Sequence, residues 1–307
     1  MEEYKNILVV IDPFMDDQPA LHRAVKLASL LPGIRFKFFL PIYDFSYEIT
    51  SLISADEHEQ MRQQVIEQRS CWLADLLEPL PIDKTQYEVK VVWHYRPFEA
   101  IIQEVNDDQH DLVLKNTHQH SLLQKFIFTP TDWHLLRESP CPVLLVKEHD
   151  WPKQGAILAA IHCGSHEPFH QELNQQITEL TLSLAQTLEA TPHLVNAYPG
   201  MPMHMMTELP QIEPQQYTED VKALHLKEMQ QHAQKYQLPL SQTHVEEGLP
   251  EEVIPELASN LDAELVVLGC QGRTGWAAAI VGNTAEHVVD RIDCDLLVLK
   301  LAPQTNS

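Results

Sequence analysis

Four of the chain's nine glycines fall within fourteen residues, at 269, 272, 275 and 282, directly behind the apolar run ELVVL. Glycine clustered after a buried strand allows positive φ or a close approach of backbone to a ligand. Gly282-Asn283-Thr284 then reads as the opening of a helix, with Asn283 or Thr284 as the N-cap. A helix start offers free N–H groups and the positive end of the dipole, which together bind anions. Arg273 adds a cation beside it. The chemistry implied is phosphate binding by backbone amides. The competing reading is that these glycines only shape a turn.

A second constellation is THQH at 117–120. His118 and His120 are two residues apart, so on an extended segment both rings share one side. That spacing suits two imidazoles on one zinc or nickel ion. His134 is the candidate third ligand, with Asp132, Asp12 and His94 as further candidates. The chain holds 17 histidines, so a pair at this spacing arises readily by chance, and a polar loop without an ion is the alternative. Met201, Met203, Met205 and Met206 form a soft loop that could cover an apolar ligand or simply its own domain.

These constellations sit in a duplicated chain. Residues 110–147 align with 263–300 without a gap, pairing Leu112 with Leu265, Thr131 with Thr284, His134 with His287, Cys141 with Cys294 and Lys147 with Lys300. The strands ILVVID (7–12) and ILAAIH (157–162) also correspond. Two tandem domains follow, 1–150 and 155–307, joined through KEHDWPKQG. Within each, short apolar runs alternate with helical periodicity: strands at 7–11, 36–43, 87–94, 111–115 and 142–147 are separated by helices near 18–31, 56–77 and 97–105. Continuous apolar strands with helical crossovers predict an α/β fold with a parallel sheet covered on both faces. On the alignment Gly269, Gly272 and Gly282 become Asn116, Gln119 and Thr129, and Pro130 removes a backbone donor. The first domain is therefore expected to have lost the phosphate loop.

Charge sets limits on partners. Residues 1–150 carry 14 basic and 24 acidic side chains, and residues 151–307 carry 7 and 20. Both halves are net negative, which disfavours nucleic acid and anionic membrane as partners. A phosphorylated ligand would need local geometry, Arg273 and a divalent cation such as Mg2+. No apolar run approaches the ~20 residues of a membrane span, and MEEYKN is unlike a secretory signal. Five cysteines without a CxxC argue for reduced thiols and a cytoplasmic setting.

The spacing Gly269-x2-Gly272-x9-Gly282-Asn283 resembles the ATP-binding signature of the universal stress protein family, and the resemblance covers both halves. It implies two doubly wound domains, each with five parallel strands in the order 3-2-1-4-5. It also implies ATP or AMP in the second domain, with Gly269, Gly272, Gly282, Asn283 and Thr284 on the phosphates and the Ala197 backbone on adenine. The family's usual aspartate at the end of strand one is His162 here, whereas Asp12 retains it in the first domain. Members of the family pair through their last strands, which implies pairing of the two copies and a homodimer of two-domain chains. The functional expectation is a stress-response protein that binds a nucleotide, with weak ATPase activity at most, since no Walker lysine occurs. The alternative is a non-enzymatic scaffold, or a carrier of a metal ion or an apolar metabolite.

Overall fold

The computed structural model describes residues 4–15, 17–47, 54–120, 125–127, 129–201, 213–270, 288 and 291–300, with backbone alone at 118–120 and 125–127. The chain divides into two compact units, Met1–Glu148 and His149–Ser307.

The first unit runs β1 (Asn6–Val10), α1 (Pro19–Leu30), β2 (Arg35–Ile42), α2 (Ala55–Leu77), β3 (Tyr87–Trp93), α3 (Pro97–Asp108), β4 (Leu112–Asn116), β5 (His118–His120), β6 (Lys125–Ile127), α4 (Pro130–Glu138) and β7 (Val143–Val146). The second runs β8 (Ala156–Ala160), α5 (Pro168–Leu188), β9 (Thr191–Tyr198), α6 (Pro214–Lys235), β10 (Thr243–Glu247), α7 (Pro250–Asn260), β11 (Ala263–Cys270) and β12 (Asp295–Lys300). The parallel order is β3-β2-β1-β4-β7 in the first unit. It is β10-β9-β8-β11-β12 in the second. Both are the expected 3-2-1-4-5 winding.

Sequence explains why the central strands lie where they do. Ile7, Leu8 and Val9 of β1 and Leu112, Val113 and Leu114 of β4 are fully buried, as strands covered on both faces must be. Edge strand β3 is less covered, with Glu88, Val89 and Lys90 exposed in a row. The helices begin by a shared device. Proline occupies the first turn of α1, α3, α4, α5, α6 and α7, where a missing N–H costs nothing. Helix α2 instead has a capping box, Ser54 with Glu57.

The helix ends show where glycine is missing. Gln109 after α3 and Glu189 after α5 take left-handed conformations, with φ of 50° and 55°. A side chain there costs about 1–2 kcal/mol that glycine would avoid. Gln109→Gly is therefore expected to stabilise the first unit by about 1 kcal/mol in urea unfolding of the full chain.

One element was not expected. The histidine segment after β4 is one arm of an antiparallel hairpin, β5 with β6, in which His118 pairs with Ile127 and His120 with Lys125. The five cysteines are free thiols, Cys71 exposed and the others buried. No described helix is long and apolar enough to cross a membrane.

Candidate functional site

In a doubly wound sheet the ligand crevice lies beyond the carboxyl ends of the strands where the winding reverses. In the second unit that point is the end of β8, flanked by β9 and β11. His162 follows β8, Ala197 is near the end of β9, and Gly269 is near the end of β11. Three of the residues singled out from sequence therefore share one end of the sheet. Gly272, Arg273, Gly282, Asn283 and Thr284 lie outside the described residues, as do Met203, Met205 and Met206.

Packing gives Gly269 a reason of its own. A Cβ there would come within 2.5–2.8 Å of the Leu173 side chain on α5. The helix closes directly on this strand end, so a glycine is required before any ligand is considered. The β8 end is held by a side chain that clamps backbone. Asn174 of α5 accepts the His162 N–H at 2.9 Å and donates to the His162 carbonyl at 3.0 Å. In the first unit Gln18 does the same for Asp12, at 3.2 and 2.7 Å. The amide comes from a different helix position in each copy, so the duplicated sequence did not reveal the shared device.

Beyond the clamp the second unit is rich in imidazole. The His162 ring meets His170 edge to face at 5.0 Å. Burial, followed by the neighbouring His170 and His225, holds His162 below the usual imidazole value. His170 is engaged by the Ser165 hydroxyl at 2.6 Å. Behind this lies a chain of amides: Asn196 Oδ1 accepts the Cys163 N–H at 2.9 Å, and Asn196 Nδ2 donates to His225 Nδ1 at 2.9 Å. The His225 ring stacks on Tyr198 and closes on Gly164, where a Cβ would lie 2.3 Å from the imidazole. Burial, with Glu228 adding to it, pushes the Cys163 thiol up to about 12, so it is no nucleophile at neutral pH. Asn174, Asn196 and His225 were missed from sequence because only their partners, not their types or spacing, distinguish them.

The matching place in the first unit is occupied by the protein itself. Asn116, aligned with Gly269, accepts the Ala20 N–H at 2.5 Å and donates to Gln18 Oε1 at 2.9 Å. Thr129, aligned with Gly282, caps α4 in a capping box with Asp132. The Asp132 carboxylate is fully buried and reaches Lys115 Nζ at 2.7 Å. An internal carboxylate thus sits at the helix N-terminus, where an anionic ligand would sit.

The candidate metal ligands are dispersed in their contacts. His118 and His120 lie on extended backbone in β5, as chelation from one side requires, and their side chains lie outside the described residues. His134 places Nδ1 on Glu138 at 2.6 Å, and its ring lies flat on Phe98 at 3.8 Å. Asp132 is committed to Lys115 and the α4 cap, so it is not available to an ion. His94 Nδ1 lies 2.8 Å from the Arg96 carbonyl and 3.1 Å from the Arg96 N–H, and Asp12 accepts the Phe14 N–H at 2.8 Å.

Among the described residues one group of metal-ligating type converges within 4.8 Å: Glu104, Asp108 and His110. Its central space already has a cation. Lys37 bonds Asp108 and lies 2.9 Å from Glu104, and Lys90 bonds the other Glu104 oxygen. Burial pulls Lys37 down, but the bonds to Asp108 and Glu104 outweigh it and the net shift is upward. The group is an ion-pair network between β2, β3 and α3.

Comparison with known proteins agrees with this architecture. Residues 3–147 and 170–300 match the model of the Universal stress protein family. The chain is 52% identical to "Universal stress protein E" of Escherichia coli (strain K12) over 301 residues, covering 98% of this chain and 95% of that protein. It is 40% identical to the "Universal stress protein E homolog" of Haemophilus influenzae, covering 97% of this chain and 98% of that one. Among solved structures, a putative universal stress protein from Pseudomonas aeruginosa superposes with a TM-score of 0.76 at 29% identity, covering 97% and 94% of the two chains.

Proposed function

The chain belongs to the universal stress protein family, and from that premise we propose that its second unit binds an adenine nucleotide, ATP or AMP with Mg2+, during the stress response. The observation that supports the reading most is the contrast between equivalent strand ends. At the reversal point of the second unit stand Gly269, Ala197 and the exposed His162. At that of the first stand Asn116 and the Lys115–Asp132 pair. Beyond the clamp that both share, one copy has glycine and alanine at these strand ends, and the other has an asparagine side chain and its own anion.

In the bound state Gly272, Gly282, Asn283 and Thr284 present N–H groups and short side chains to the phosphates, with Arg273 as the local cation. The Ala197 backbone faces adenine. Mg2+ offsets the field of a strongly acidic chain. His162 replaces a carboxylate with a neutral imidazole, so it contributes one donor and one acceptor instead of a charge. Binding is the activity; hydrolysis is slow without a Walker lysine. The protein works in the cytoplasm, as a homodimer of two-unit chains.

Equilibrium dialysis of the full chain with ATP and AMP, with and without Mg2+, tests this. One nucleotide per chain is expected, and Gly282→Val should abolish it by placing a branched side chain against the phosphates. Retention of binding by Gly282→Val, or two equivalents per chain, would overturn the assignment.

A further inference from the structure

On the outer strands of the second unit's sheet, two histidines face each other across neighbouring parallel strands. His193 lies on β9 and His244 on β10, with Nδ1 of the first 3.2 Å from Nε2 of the second. The ring centroids are 5.4 Å apart and the planes are tilted by 34°. Register places His244 beside Val195, so residues 193 and 195 of β9 share a face with 244 and 246 of β10. Both imidazoles are half-buried.

The separation of the nitrogens can be compared with what a metal requires. Two Zn–N bonds of 2.0–2.1 Å meeting at a tetrahedral angle put the nitrogens about 3.3 Å apart. The observed 3.2 Å is that bite, without backbone movement. Both strands belong to the sheet, which holds the two rings more rigidly than a loop would. We propose that His193 Nδ1 and His244 Nε2 chelate a divalent ion of the borderline class, Zn2+, Ni2+ or Cu2+. Water completes the coordination.

Several properties of the pair favour this class. Burial lowers the proton affinity of both rings, His244 further disfavours charge on His193, and the Glu246 charge pulls His244 the other way. At neutral pH both imidazoles are therefore in the form a metal needs. In the empty pair one ring donates to the other. On metal binding that ring's proton moves to its other nitrogen, and both facing lone pairs are donated to the ion with no net proton released. Borderline ions favour imidazole, whereas Mg2+ and Ca2+ favour oxygen ligands. His193 lies four residues before Ala197, and His244 sits level with Val195, two residues before it. The pair uses none of the residues assigned to the nucleotide.

The substitution that separates chelation from ordinary hydrogen bonding is His244→Gln. Glutamine can still bond His193 and keep the strands paired, but it cannot complete a two-nitrogen chelate. Zinc titration of the full chain by calorimetry should show one equivalent lost, or weakened more than the roughly 10–100-fold that follows loss of an outer-shell partner. His193→Gln should lose the same equivalent, and the double variant should lose nothing more. Cu2+ electron paramagnetic resonance should change from a two-nitrogen to a one-nitrogen pattern. Unchanged urea unfolding of His244→Gln without metal would confirm that the fold is retained. His118→Ala/His120→Ala should leave this equivalent in place. Wild-type zinc stoichiometry and affinity in both glutamine variants would overturn the proposal and leave the pair as a hydrogen bond.

Discussion

Replacing Asp132 by alanine is expected to destabilise the first unit by about 3–5 kcal/mol, the cost of leaving a buried charge without its partner. Asp132 is fully buried, and the Lys115 side chain opposite it is 9% exposed. The carboxylate also accepts from the Thr129 N–H at 2.7 Å and the Thr129 hydroxyl at 2.9 Å, so alanine removes the α4 cap as well. Among the described residues Lys115 would keep the Asn116 carbonyl at 3.0 Å. The second copy supplies the control, because the residues aligned with Lys115 and Asp132 are Leu268 and Ala285. Lys115→Leu/Asp132→Ala should recover most of the loss, since a buried pair replaced by apolar residues is often neutral. Urea unfolding of the full chain, arranged as a double-mutant cycle, measures the coupling. A cost below about 1 kcal/mol for Asp132→Ala would show that the pair does not hold α4 to the sheet. The single variant should also be stabilised by inorganic phosphate more than the wild type, because the helix N-terminus and Lys115 would then lack their internal anion.

That comparison shows what the sequence could and could not reveal. The winding was legible because it rests on features that repeat. ILVVI and ELVVL are short apolar runs that pack inside the sheet, and the alignment of the halves preserves Leu112 with Leu265. The expectation that the first copy had lost its phosphate loop came from Asn116, Thr129 and Pro130 standing where glycines and asparagine stand in the second. Its physical content lies in the packing. Lys115 reads in sequence as one residue of a strand, and Asp132 as a further candidate metal ligand. Only packing shows that they neutralise each other in the interior. Long-range side-chain partners such as Asn174 with His162, or Asn196 with Cys163, carry no periodic signal at all. The hairpin β5–β6 was missed for another reason. Each arm has three residues, too short for an alternation to stand out.

Acidification should loosen the second unit before the first. Burial holds His162, His193, His225, His232 and His244 below the usual imidazole value, with other histidines or Lys235 adding to this for all but His225 and His244. A base whose folded pKa is depressed contributes stability that is complete above its unfolded value, near 6.5, and is lost as pH falls through the folded value. The unfolded chain then binds the extra protons, with a limiting slope of about 1.4 kcal/mol per pH unit for each group. His162 is exposed, so its share is discounted for solvent screening. His225 is the firmest case. Its Nδ1 accepts from Asn196, whose other end is fixed by the Cys163 N–H, so neither the ring nor the amide can accommodate a proton between them. Glu228 favours the proton but does not reverse the shift. In the first unit His110 is lowered in the same way, but the lowered groups Asp44, Glu57, Asp83 and Asp108 are carboxylates. Their contribution persists until pH falls to about 4. Hydrogen exchange read by peptide from pH 7.5 to 4.5 should therefore show strands β8–β10 losing protection as pH falls below about 6.5, ahead of β1–β3. His225→Gln keeps an acceptor for Asn196 without a titrating nitrogen, so it should flatten the slope by up to one proton. Equal loss of protection in both units across that window, or an unchanged slope in the variant, would rule out imidazole protonation as the cause.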